Sequence, residues 1–124
     1  MIDATELRIG NLILFEDGSI IEVRGIHPSG KNIHDGKKWI EVFRLNPIPL
    51  TEEWLLKFGF EKLQNPNNTP SLIWKIDWTF VFVQSIFDDL FYYFPKDGNR
   101  ITLKSVHQLQ NLYFALKGTE LTIK

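Results

Sequence analysis

The most regular stretch of the sequence is SVHQLQNLYFALKG, residues 105–118. Its first and fourth residues, Ser and Gln, have the spacing of a capping box, and its final Gly is typical of a helix end in the left-handed conformation. The apolar side chains between them recur with helical spacing over an arc of about 120°. They are Val106, Leu109, Leu112, Tyr113 and Leu116. The stretch therefore predicts a helix over 105–117 whose apolar stripe faces a core.

A second, shorter helix is predicted over residues 51–59. Thr51 is a suitable N-cap, and the two glutamates that follow it suit the positive end of the helix dipole. Leu50 and Leu55 occupy the two positions of a hydrophobic staple, and Gly59 can end the helix in a left-handed conformation. Since the segment spans only about two turns, packing rather than intrinsic propensity has to stabilise it.

Alternating side chains between residues 72 and 84 predict β-structure. Those that share one parity are Trp74, Ile76, Trp78, Phe80 and Phe82. A period of two indicates strands with one buried face. Because the run is longer than an ordinary strand, we expect a turn near Asp77. The pattern therefore predicts part of an antiparallel sheet with an aromatic face.

The first third of the sequence predicts short strands. An Asp-Gly step at residues 17–18, between two apolar runs, is a strong hairpin signal. Residues 39–45 alternate and predict a third strand. The complete expectation is one α+β domain over 1–124, with sub-modules 1–46 and 47–124. The first is a short-stranded β module of SH3-like type, and the second is an antiparallel sheet packed by the two helices.

Size and composition restrict the function classes. The chain has 124 residues, which suits a single domain, and a net charge of −1. It has no cysteine, which excludes disulfides, thiolate catalysis and cysteine–zinc sites. No apolar run approaches the ~20 residues that span a bilayer, and the first residues are too polar for a signal peptide. We therefore expect a cytoplasmic protein with no membrane partner.

Three segments resemble a set of uncharacterised small bacterial and phage-associated proteins. They are LRIGNLI at 7–13, NPIPLTEEWLLKFGFEK at 46–62 and VHQLQNLYFALKGTELTIK at 106–124. The segments are long enough to be specific, and they occur in the same order. That family has no assigned activity. The resemblance therefore implies a phage or mobile-element setting and assigns no functional residue.

One loop contains the only metal-ligand candidates that we consider, His27, His34 and Asp35. Two imidazoles and a carboxylate are ligand types that metals use, but zinc sites need three or four fixed ligands at characteristic spacings. The spacing here fits no established pattern. We therefore expect a solvated loop, with no metal and no cofactor.

Two pairs of adjacent carboxylates are the candidates for acid–base chemistry. Glu52 and Glu53 already suit the first turn of a helix, while Asp88 and Asp89 fall in a predicted turn before a strand. The sequence shows neither a nucleophile elbow nor a glycine-rich phosphate loop after a strand. We therefore expect that the protein is not an enzyme, and we assign no catalytic residue.

Two groups of side chains are candidates for partner binding. His107, Asn111 and Phe114 follow one another at i, i+4 and i+7, so they lie on one line along the non-core side of the last helix. Tyr92 and Phe94 share one face of a short strand whose other face is aromatic too. Aromatic side chains at such positions need cover or a partner. The leading hypothesis is a small accessory protein that binds a protein partner or itself.

A nucleic-acid-binding module is the alternative hypothesis. It would combine the N-terminal β module with Arg100, Lys104 and Lys117, which belong to the mildly positive segment 96–124. The aromatic stretch 74–94 has a net charge of −2, from one lysine and three aspartates. Base stacking without a cationic groove makes a poor binding site. The sequence therefore favours the protein partner and leaves nucleic acid as the alternative.

Overall fold

The structure, a computed structural model, describes residues 2, 4–64, 71–77, 80–85, 88, 90–95 and 98–123. Within these residues the chain has an α+β fold with two helices and three antiparallel sheets. The helices are α1 (Glu52–Lys57) and α2 (Val106–Lys117). The strands are β1 (Leu12–Phe15), β2 (Ile20–Glu22), β3 (Gly25–Ile26), β4 (Asn32–His34), β5 (Trp39–Glu41), β6 (Leu45–Asn46), β7 (Glu61–Gln64), β8 (Ser71–Asp77), β9 (Phe80–Ser85), β10 (Phe91–Tyr93) and β11 (Ile101–Leu103).

The chain divides into two compact units. The first unit consists of Met1–Pro49 and Ser105–Glu120, and the second consists of Leu50–Lys104 and Leu121–Lys124. Strands β1 to β6 and helix α2 therefore belong to the first unit, while α1 and strands β7 to β11 belong to the second. Neither of the described helices is long and apolar enough to cross a membrane.

The first unit contains two small sheets, with strand orders β2-β1-β6 and β3-β4-β5. The chain changes sheets between Val23 and Arg24, because the backbone N–H of Val23 donates to Asn11 and that of Arg24 donates to His34. The hairpin predicted at the Asp-Gly step is confirmed by the antiparallel pairing of β1 with β2. The SH3-like barrel is not confirmed and stays a prediction, since these six strands form two separate sheets.

A single apolar core occupies the first unit. Its buried members are Ile2, Leu7, Ile13, Val23, Ile33, Ile40, Val42 and Leu45. Strands β1, β4, β5 and β6 contribute one buried residue each, as expected when alternate residues of short strands point inward. The burial of these side chains holds the two sheets together and leaves the other parity of each strand for solvent or a ligand.

Helix α2 has the predicted boundaries. Ser105 is its N-cap and forms a complete capping box with Gln108, while Gly118 follows its last turn in the left-handed conformation, with φ 74°. The predicted apolar stripe is only partly correct. Leu116 is exposed, whereas the polar His107 and Gln110 are buried.

Helix α2 packs within the first unit through its buried polar side chains. Its buried polar side chains bond to the segment 6–12, which precedes and begins β1. Gln110 accepts from the N–H of Leu12 at 2.8 Å and donates to the carbonyl of Gly10 at 3.1 Å. The helix is therefore part of the first unit, and packing of two helices on one sheet is not confirmed.

The second unit is built on the five-stranded sheet, in the order β11-β10-β9-β8-β7. The alternation read from the sequence is confirmed for Trp74, Phe80 and Phe82, which are buried, and β8 ends at Asp77 as predicted. Phe60 lies 5.3 Å from Phe82 between ring centroids. Trp78 and Asp89, which the sequence analysis also used, lie outside the described residues.

Helix α1 begins after Thr51, whose hydroxyl accepts from the N–H of Trp54. It is followed by Phe58 and by Gly59 at φ 88°, so the predicted cap and stop are confirmed. Leu55 and Phe58 are fully buried within the second unit. This burial supplies the stabilisation that a helix of six residues cannot obtain from its own hydrogen bonds.

Candidate functional site

The predicted partner-binding line on α2 is largely interior. His107 is only 2% exposed. Its Nδ1 lies 3.3 Å from the hydroxyl of Ser105, and its Nε2 lies 3.3 Å from the carboxylate of Glu6. Both ring nitrogens therefore have partners within the first unit, which leaves the imidazole no free position for another molecule.

Asn111 joins two other segments of the first unit. Its Nδ2 donates to the carbonyl of Glu6 at 2.8 Å, and its Oδ1 accepts from Asn11 at 2.8 Å. Phe114 is 40% exposed, with the guanidinium carbon of Arg8 4.1 Å from its ring centroid. The line His107, Asn111 and Phe114 thus offers a partner only part of one aromatic ring.

The two candidates from the aromatic strand lie in the second unit. Tyr92 is buried, and its hydroxyl donates to Asp88 at 2.6 Å while the guanidinium of Arg100 lies 4.5 Å from its ring centroid. Phe94 is 59% exposed. Of the five predicted residues, Phe94 therefore has the most open side chain, and the five are divided between the two units.

Ser105, His107 and Glu6 have the residue types of a hydrolytic triad, an arrangement that the sequence analysis missed. A nucleophilic serine needs a substrate beside its hydroxyl and a base that takes its proton. The hydroxyl of Ser105 is buried and accepts from the N–H of Gln108, as an N-cap does. The arrangement therefore closes the first turn of α2 and connects it to Glu6.

The carboxylate pairs form separate structural contacts. Glu52 pairs with Lys62 at 2.9 Å, and Glu53 lies 3.8 Å from Lys57 one turn along α1. Asp88 accepts from the hydroxyl of Tyr92, and this hydrogen bond lowers the pKa of the Asp88 carboxyl. Each described acid thus has its own partner, and no two of them share a proton.

The loop with the metal-ligand candidates is a structured turn. The carboxylate of Asp35 accepts from the backbone N–H groups of Lys37 and Lys38, both at 2.8 Å, and these bonds lower the pKa of the Asp35 carboxyl. Among the described residues, no group of three or more His, Cys, Asp or Glu is placed to hold a metal ion. His27 and His34 instead lie beside Trp39.

The outer face of the sheet β3-β4-β5 brings these rings together. Its register places Gly25 opposite His34 and His34 opposite Trp39. The other parity, with Ile33 and Ile40, enters the core. We name the outer face the Trp39 face; its residues are Gly25, His27, Asn32, His34, Trp39 and Glu41.

Trp39 is the central aromatic group of this face. Its side chain is 54% exposed. The ring centroid of His34 lies 4.9 Å away and that of His27 5.6 Å away, with interplanar angles of 78° and 83°. An indole that packs against two imidazoles and is still exposed to solvent offers an aromatic surface on which a flat ligand can stack.

The segment that forms most of the Trp39 face is basic, although the face also carries Glu41. Residues 24–39 carry four basic side chains and one acidic side chain, Asp35, which gives a net charge of +3 without the histidines. Lys31 and Lys37 have no carboxylate within 4 Å among the described residues. Arg24 is partly neutralised, since its Nε lies 3.0 Å from the carboxylate of Glu22. This segment is therefore an exposed basic surface in a chain of net charge −1.

One sequence signal could have identified this face. In the strand Trp39–Glu41, the indole shares its parity with a glutamate, while Ile40 has the other parity. An aromatic residue in phase with polar residues is expected on the solvent side of a sheet. From the sequence alone this alternation predicted only a strand, so the histidines of the preceding loop had no expected neighbour.

Comparison of the chain with family models, with curated proteins and with solved structures found no match. The resemblance to bacterial and phage-associated proteins therefore stays a prediction. The function proposed below is argued from the geometry of the chain's own residues.

Proposed function

We propose that the chain is a nucleic-acid-binding module whose contact surface is the Trp39 face. The observation that carries the proposal is the exposed indole of Trp39, which contacts the imidazoles of His27 and His34 within a segment of net charge +3. Bases stack on aromatic rings with about 1–3 kcal/mol each, and phosphates bind where lysine and arginine are concentrated. The exposed indole lies on the outer face of the sheet β3-β4-β5, and the basic residues lie on the strands and turns of the same segment.

This proposal reverses the order of the two hypotheses from the sequence. The alternative had placed its cations on residues 96–124, whose net charge of +3 is spread over 29 residues rather than 16. The basic segment 24–39 supports it better, because its charges lie on the strands and turns that position Trp39. The protein-binding hypothesis loses support because His107 and Tyr92 are buried.

A titration of labelled oligonucleotides tests the proposal. Fluorescence anisotropy at low salt, with single strands of about 20 nucleotides as DNA and as RNA, should show binding that weakens steeply as salt increases. Trp39→Ala should weaken binding roughly 5- to 100-fold, the range that corresponds to one stacked base. Phe43→Ala is the matched control, because Phe43 is an aromatic residue of the same unit and is 64% exposed.

Two results would contradict the proposal. One is the absence of binding to DNA and RNA at low salt. The other is an equal loss of affinity in Trp39→Ala and Phe43→Ala, which would mean that any exposed aromatic ring of this unit has the same effect.

Self-association through the second unit is the second candidate function. Strand β11 lies at one edge of its sheet, with Ile101 partly exposed there, and Phe94 is exposed after the neighbouring strand. An edge strand with apolar side chains can pair with a second copy of the chain. Sedimentation equilibrium should then show a dimer in the wild type and a monomer in Phe94→Ser. A monomer at all concentrations in the wild type would exclude this candidate.

A further inference from the structure

The two histidines of the Trp39 face are oriented by bonds to their own turns. The Nδ1 of His27 accepts from the backbone N–H of Ser29 at 3.1 Å, and the Nδ1 of His34 accepts from the backbone N–H of Gly36 at 2.9 Å. Both bonds join a residue to the second residue after it. Each ring is therefore oriented by its own turn.

These bonds also determine where each ring carries its proton. A neutral imidazole has one donor nitrogen and one acceptor nitrogen. Because a backbone N–H can only donate, Nδ1 has to be the acceptor, and the proton is on Nε2. Among the described residues, neither Nε2 has a hydrogen-bond partner. The face thus presents two oriented N–H donors beside one exposed indole.

The row Gly25, His34 and Trp39 runs across the three strands, with the indole at its β5 end. A Cβ atom added at Gly25 would lie 3.3 Å from the Cβ of His34, which is tighter than an ordinary contact. Glycine therefore lets β3 lie close to His34, and it adds no side chain of its own over the imidazole.

We infer that the Trp39 face binds unpaired bases, which stack on Trp39 and accept hydrogen bonds from His27 and His34. This inference rests on the proposed function and specifies the class of nucleic acid. In a duplex the faces of the bases are covered by their neighbours, and their pairing edges are occupied. An unpaired base offers both a free π-face and carbonyl or ring-nitrogen acceptors on its edge.

The first arm of the test compares one sequence in two forms. A labelled oligonucleotide of about 20 nucleotides is titrated as a single strand and as a blunt duplex at the same salt concentration. The single strand should bind at least about tenfold more tightly, as stacking of one base requires. DNA and RNA versions of both forms identify which sugar the site accepts.

The second arm tests the two donors. His34→Phe and His27→Phe keep a flat ring and remove the Nε2 donor, so each should weaken single-strand binding about two- to tenfold, the effect of one hydrogen bond. His34→Gln keeps an N–H donor and should retain most of the affinity. Circular dichroism and the thermal midpoint show whether each variant is folded.

The third arm uses intrinsic fluorescence. A base that stacks on the indole should quench part of the tryptophan emission in the wild type. The chain has four tryptophans, so Trp39→Phe is needed to assign the quenching to Trp39. Quenching that persists in Trp39→Phe would place the base elsewhere and overturn the inference.

The failures of the inference and of the proposed function are distinguishable. If single strands and duplexes bind equally while Trp39→Ala still weakens both, the inference is wrong and nucleic-acid binding stands. If His34→Phe and His27→Phe bind like the wild type, the role of the donors is wrong. If no nucleic acid binds at low salt, both the inference and the proposed function are wrong.

Discussion

The guanidinium of Arg8 forms a bidentate ion pair with the carboxylate of Glu120. Its two terminal nitrogens donate to the two carboxylate oxygens at 2.6 and 3.0 Å. The same guanidinium lies 4.1 Å from the ring centroid of Phe114. Arg8 therefore ties the segment before β1 to the end of α2 and to the residues that follow it.

We predict that Arg8→Ala destabilises the first unit by about 2 kcal/mol, because a partly buried bidentate pair and a cation–π contact are lost together. Arg24→Ala is the matched control. Its pair with Glu22 is more exposed and should contribute less than about 0.5 kcal/mol. Urea unfolding measures both. Equal losses of unfolding free energy in the two variants would show that the Arg8 pair stabilises the first unit no more than the exposed Arg24 pair does.

Gly10 lies close to the carboxylate of Glu120. It has φ 101°, and a Cβ atom there would lie 3.0 Å from the carboxylate oxygen of Glu120. Gly10→Ala therefore adds crowding to backbone strain and should cost about 2 kcal/mol. Gly18→Ala, at φ 90° with nothing within 4 Å of the new atom, should cost only about 1 kcal/mol. The prediction fails if the two thermal midpoints fall by the same amount.

The buried amide of Gln110 is predicted to be more important than any exposed apolar residue of α2. Gln110→Ala would leave the N–H of Leu12 and the carbonyl of Gly10 without their partners, at a cost of about 2–3 kcal/mol. Leu116→Ala removes an exposed side chain and should cost less than about 1 kcal/mol. Chemical denaturation of both variants tests this order. A larger loss of stability in Leu116→Ala would instead support the apolar stripe predicted from the sequence.

Gln110 and Leu116 show that the ends of α2 could be predicted from the sequence, whereas its buried face could not. The start and end of α2 were predicted correctly because capping boxes and left-handed glycines act within a few residues. The buried face depended on bonds to residues about 100 positions earlier in the chain. Hydrophobic periodicity cannot report such bonds, since it assigns every glutamine to the solvent side.

The candidate site was missed for a related reason. His27, His34 and Trp39 are separated along the chain, and the pairing of β3 with β4 and of β4 with β5 brings their rings together. The third strand was predicted, but its partners were not. Without the register, the two histidines could be considered only as metal ligands, and the indole only as part of a strand.

The Asp88–Tyr92 hydrogen bond gives a pH prediction for the second unit. It raises the pKa of the Tyr92 hydroxyl above 10.0 and lowers the pKa of the Asp88 carboxyl below 3.8. The lowered pKa gives stability that is present above pH ~4 and is lost as pH falls through the folded-state value. The raised pKa gives stability that is present below pH ~10 and is lost as pH rises through the folded-state value.

Tyr92→Phe should therefore lower the thermal midpoint between about pH 4 and pH 10, and the difference from the wild type should shrink outside this window. Thermal unfolding across a pH series checks it. Tyr93→Phe is the control, as it removes a hydroxyl from the next residue of the same strand. A constant difference at every pH would show that the effect of Tyr92→Phe comes from packing rather than from the bond to Asp88.

Asp35 allows the charge of the Trp39 face to be changed without changing its shape. Its carboxylate is ionised at neutral pH, and the backbone N–H groups of Lys38 and Lys37 lower its pKa further. Asp35→Asn keeps an oxygen acceptor for Lys37 and Lys38 and raises the net charge of residues 24–39 from +3 to +4. Phosphates within a Debye length of about 8 Å should be attracted by the added positive charge. Single-stranded DNA should therefore bind about two- to fivefold more tightly at physiological salt. Asp35→Ala makes the same change in charge but loses the turn that holds Lys37 and Lys38, so anisotropy should show a smaller gain or none. An unchanged affinity in both variants would mean that the phosphates do not contact this face.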